Sequence, residues 1–147
     1  MRRGYNDYQK AQAITADSGE LLLMLFDGAI RFTNQAIDSM GAGDVPGKCE
    51  AISRAFAIVA ELHGTLDFEL CDEIAGNLAS LYLFVLENYC NANIRNDVHP
   101  LKDVLSVLST LREGWIGAIQ QVRKGQVEMG KESINSGEAS SLSVLAG

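Results

Sequence analysis

Between Ile74 and Asn93 the chain carries one formal charge, Glu87, while apolar residues recur at helical spacing throughout. At about 100° per residue, Ile74, Leu78, Leu81, Val85 and Ala92 make one stripe, the one expected to face a core. Ala75, Ala79, Leu83, Leu86 and Cys90 make a second stripe on the far side, and Tyr82 and Tyr89 bridge one flank. A helix that is apolar around its circumference is either buried on every side or binds something. This stretch therefore constrains the fold more than any other.

The rest of the chain supplies helices to pack against it. The spacing predicts a first helix from Asp17, a capping residue with Glu20 three positions on, along the stripe Leu22, Leu25, Phe26, Ala29, Phe32, Thr33, Ala36 and Met40. The stretch Gly41 to Gly43 ends it. Asp44 caps a second helix that tolerates Pro46 in its first turn and turns Ile52, Ala55, Phe56, Val59, Leu62 and Leu66 inward. Leu66 to Asp72 connects to the third helix, expected to end near Asn93. Asp97 caps a fourth helix with Leu101, Val104, Leu108, Leu111, Trp115, Ile119 and Val122 at bundle spacing.

Four helices with short connections predict an all-α fold, an antiparallel up-and-down four-helix bundle. Residues 1–16 read as a mobile N-terminal arm, 17–124 as the bundle, and 125–147, rich in Gly, Ser and Glu, as a flexible C-terminal tail.

Each helix of such a bundle is peripheral and needs only about a third of its surface apolar. The third helix exceeds that. Leu23 and Met24 on the first helix, and Leu105 and Ile116 on the fourth, lie outside their stripes and add to the surplus. Large exposed apolar patches mark interaction surfaces. A groove for an amphipathic helical partner and a homodimer contact both account for this one.

Other functions find little support. The net charge of -7 argues against nucleic acid, whose phosphates require a basic surface. No apolar run approaches the roughly 18 residues of a membrane span, and the N-terminus has no secretory h-region. Cys49, Cys71 and Cys90 are far apart and read as reduced thiols of a cytoplasmic protein. His63 and His99 are isolated, and no Glu-x-x-His pair, phosphate loop or nucleophile motif occurs. No catalytic residue, metal site or cofactor is expected, and a metal-binding bundle enzyme is the weakest reading.

Several stretches in collinear order resemble the FliS family of flagellar export chaperones. They are ELLLMLFDGAIRF (Glu20 to Phe32), LDFE (Leu66 to Glu69), EIAGNLASLY (Glu73 to Tyr82), ANIRND (Ala92 to Asp97) and the tryptophan Trp115. The resemblance implies a cytoplasmic bundle that binds the disordered C-terminal segment of flagellin, blocks its premature polymerisation and presents it to the flagellar type III export gate. It further implies that an N-terminal element, matched here by Tyr8 and Gln9, covers part of the binding surface. Asn93 and Asp97, of ANIRND, match the family's turn between the third and fourth helices. Joined to the helix reading, the expected partner-binding set is Tyr8, Gln9, Leu23, Met24, Ala79, Tyr82, Leu83, Leu86, Cys90, Asn93, Ile94, Asp97 and Leu105, on a monomer or weak homodimer. The family pattern has a polar pair and then two arginines after the tyrosine of SLY. Leu83-Phe84 and Glu87-Asn88-Tyr89 stand here instead, so this surface is more apolar.

Overall fold

The structure, a computed structural model, describes the backbone of residues 16–67 and 72–146, and the side chains of 19–67 and 73–125. Among the described residues four helices follow one another: α1 Ala16–Gly41, α2 Val45–Gly64, α3 Asp72–Arg95 and α4 His99–Ala146. They fall into two compact units. One is Glu20–Glu113; the other takes the start of α1 up to Gly19 and the part of α4 from Gly114 onward.

The α1–α2 and α3–α4 turns use the same device. In the first, Gly43 takes a left-handed φ of 69°, and the Asp44 amide reaches back to the Ser39 carbonyl at 2.8 Å. In the second, Asn96 takes a φ of 52°, and the Asp97 amide reaches the Ala92 carbonyl at 3.2 Å. Both are Schellman closures, which need a residue that tolerates the left-handed region; glycine and asparagine do. Each is followed at once by an aspartate whose side chain accepts an amide from the first turn of the next helix. Asp44 accepts the Gly47 amide at 3.0 Å, and Asp97 accepts the His99 amide at 3.0 Å. Asp44 is the N-cap of α2, worth about 1 kcal/mol. In α4 the first carbonyl of the ladder is that of Val98, which accepts the Lys102 amide at 3.1 Å, and Asp97 stands one residue before it.

Pairings within the first unit show the direction of the helices. The close approach of Gly28 to Ile58 and of Ser39 to Gly47 sets α1 antiparallel to α2. Cys49 meets Asn93, and Phe56 shares a groove with Tyr89, which sets α2 antiparallel to α3. Arg112 of α4 pairs with Asp27 of α1. The core holds Phe26, Ala29 and Ala36 from α1, Ile52, Ala55, Val59 and Leu62 from α2, and Leu101, Val104 and Leu108 from α4. These agree with the sequence stripes, but two stripe members stand exposed, Phe56 at 37% and Val122 at 52%.

On α3 the expected core face is corrected. The buried residues are Ala75, Tyr82, Val85, Tyr89 and Ala92, while Ile74 and Leu81 are exposed. The buried stripe is turned by roughly 40° from the expected one. Its two tyrosines explain the difference. The Thr33 hydroxyl donates to the Ala29 carbonyl at 2.7 Å, so its oxygen is left to accept from the Tyr89 hydroxyl, also at 2.7 Å. With a buried acceptor available, the Tyr89 ring moves from the rim to the centre, and desolvation pushes its pKa up to about 12.

Two boundaries also change. α1 opens at Ala16, one residue before the expected cap Asp17. α4 continues to Ala146, through the segment from Gly125 that was read as a flexible tail. No proline follows Pro100, so nothing in that segment removes a helical hydrogen bond. The second unit brings Gly19 against the buried Ile119: a Cβ at Gly19 would lie 2.8 Å from Ile119 Cγ1.

Candidate partner-binding site

An uncharged groove of about 370 Å³ runs between α2 and α3. Ile52, Ser53 and Phe56 form its α2 wall; Tyr89, Cys90 and Asn93 form its α3 wall. Tyr89 is fully buried with its hydroxyl tied to Thr33, so its ring is the fixed floor. Phe56 and Cys90 stand exposed at the edges. Ser53 and Asn93 are the polar lining, suited to orient a ligand whose main contacts are apolar.

The α3 face extends beyond the groove. Leu83 is 54% exposed and Ile94 83% exposed, with Ala79 and Leu86 half-buried in the same helical register. This far stripe stands as an open apolar surface, with the side chains of Glu87 and Arg95 exposed near it. Holding leucine and isoleucine in water forgoes about 1.5–3 kcal/mol apiece relative to full burial.

Not all of the expected residues gather here. Cys90 and Asn93 share the groove. Tyr82 does not belong to an open surface: it is 3% exposed, and burial pushes its pKa up to about 12. Asn93 lies inside α3 and not at its end, which Asn96 marks; its carbonyl accepts from Lys48 at 3.3 Å. Asp97 serves the start of α4, where the His99 amide and ring hold its carboxyl below the usual range. Met24 is 69% exposed on α1, while Leu23 and Leu105 are half-buried; none of the three lines this groove. Tyr8 and Gln9 lie outside the described residues.

A second open groove, between α1 and α2, differs in chemistry. Asp38, Glu50 and Arg54 line it, and the Arg31 and Arg54 guanidinium groups lie 5.0 and 5.7 Å from the Phe32 ring centroid. Sequence reading missed Lys48, which is 6% exposed. It was legible in principle, because positions 48, 52, 55, 59 and 62 continue one helical stripe. Among the described residues no group of three or more His, Cys, Asp or Glu could hold a metal, and no helix is long and apolar enough to cross a membrane.

Comparison with known proteins agrees with this architecture. A solved structure described as a flagellar chaperone from bacteria superposes with a TM-score of 0.68, at 15% identity, over 82% of this chain and 98% of its own. That likeness concerns the fold. In sequence, the chain is 32% identical to the Flagellar secretion chaperone FliS of Bacillus subtilis, over 84% of this chain and 92% of that protein. It is 36% identical to the protein of the same name from Salmonella typhimurium, over 72% and 79% respectively. The family description Flagellar protein FliS matches residues 1–122. On that breadth of agreement, the chain belongs to the FliS family.

Proposed function

We propose that this chain is a cytoplasmic export chaperone that binds the C-terminal segment of a flagellin, keeps it from polymerising and delivers it to the flagellar export apparatus. The relatives' name, flagellar secretion chaperone, supports the class of activity. The observation that carries the proposal is the open apolar face of α3, Leu83 to Ile94, continuous in register with the uncharged α2–α3 groove. An amphipathic segment inserts side chains at i, i+3, i+4 and i+7 into such a surface. A disordered partner that folds on contact buries on the order of 1,000–3,000 Å² and tolerates the ordering cost because the surface is large. The site is a binding surface and needs no metal, cofactor or catalytic group. Tyr8 and Gln9 join this proposal on the family resemblance alone, as a cover that the partner displaces.

Seeded flagellin polymerisation tests the reading. Equimolar chain should suppress filament growth, and Leu83→Glu, which sets a charge on an exposed site, should abolish suppression without loss of helical circular dichroism. Filament growth unaffected by the wild-type chain would refute the proposal.

A further inference from the structure

The buried stripe of α2 opens with a charge. Lys48 is 6% exposed, and among the described residues its ammonium donates to two uncharged acceptors, the Asn93 carbonyl at 3.3 Å and Asn96 Oδ1 at 3.2 Å. The next residue, Cys49, donates to Asn93 Oδ1 at 3.6 Å. Two consecutive residues of α2 therefore grip the final turns of α3 through both the backbone and the side chain of Asn93.

An ammonium taken out of water is costly, and a leucine would fill the same register position without that cost. What the lysine adds is specific. It satisfies a carbonyl at the end of α3, where helical partners run out, and sets positive charge at the negative end of the helix dipole. It also holds the side chain of the left-handed residue Asn96. Asn93, the residue so held, is a wall of the α2–α3 groove together with Cys90.

We infer that Lys48 is a positioning residue for the partner site: it fixes the spacing of α2 and α3 at the Asn93 end of the groove, so that the groove is formed before the partner arrives. This rests on the proposed binding function, because a preformed groove matters only to something that enters it. Its effect is on affinity, since a surface held in its bound shape loses less freedom on association.

Two readouts separate positioning from plain stability. In the free protein, with Cys71→Ser and Cys90→Ser in the background, iodoacetamide reports access to Cys49. Without those two changes, titration with a peptide spanning the flagellin C-terminal segment reports affinity. In Lys48→Met, Cys49 alkylation should rise and peptide affinity should fall, each on the order of tenfold, and Lys48→Arg should restore most of both. Leu62→Ala, which destabilises the core at the other end of α2, should change neither while folded. If Lys48→Met fails to fold, Asn96→Gly removes one acceptor but keeps the left-handed turn, and should show smaller changes in the same directions. Unchanged affinity in folded Lys48→Met, or in Asn96→Gly when it is the variant measured, overturns the inference. If the wild-type chain does not bind the peptide, the flagellin reading fails instead, and the Cys49 rates alone decide whether Lys48 holds the groove end.

Discussion

Thr33 and Tyr89 form a buried pair whose two halves are not equivalent. The threonine proton is committed to the Ala29 carbonyl, so the tyrosine is the donor between them. Tyr89→Phe removes a donor and leaves Thr33 still bonded to Ala29; it should cost about 0.5–1.5 kcal/mol. Thr33→Val leaves a phenol hydroxyl buried without an acceptor, and should cost more, about 1–3 kcal/mol. Urea unfolding of the two variants checks the order. The same burial makes the protein sensitive to alkali. Tyr82 and Tyr89 are both pushed up to about 12, so the neutral phenol is the form the fold prefers. Their contribution is complete below the ordinary tyrosine value of about 10 and is lost as pH rises through 12. Phenolate absorbance should therefore grow together with loss of helical signal.

Among the elements, α2 shows how the turns set register. Asp44 caps it through Gly47, and a Cβ at Gly47 would lie 2.8 Å from Asp44 Cγ and 2.9 Å from Ser39 Oγ. Gly47→Ala should therefore displace the cap and destabilise by about 1 kcal/mol, comparable to Asp44→Ala. Leu62→Ala, at a site with no exposure, should cost about 2–5 kcal/mol. Both are read from denaturant midpoints. The cap Asp44 and most of the buried residues of α1, α2 and α4 were legible from spacing, because those helices have a clear polar side, whereas the cap position of α4 falls one residue past the expected Asp97. α3 was legible as an element but not in phase. With apolar residues on every side its periodicity is shallow, and the acceptor that draws Tyr89 inward lies on α1, fifty-six positions away in sequence. The continuation of α4 was hidden for a different reason: glycine and serine weaken helix propensity without forbidding it.

For the whole molecule, the surplus apolar surface of α3 was visible in the sequence, and the rotated core leaves it divided. Leu83, Cys90 and Ile94 lie toward one flank; Ile74, Leu81 and Phe84 lie toward the other. The groove beside the first flank could not be located from one helix alone, because Phe56 and Ile52 supply its other wall. In the proposed function this face holds the C-terminal segment of a flagellin. Calorimetric titration of the chain with an intact flagellin, and then with the same flagellin lacking that segment, tests it most directly. The expected result is a one-to-one complex with the intact protein and no heat of binding with the truncated one. Equal binding of the two would contradict it.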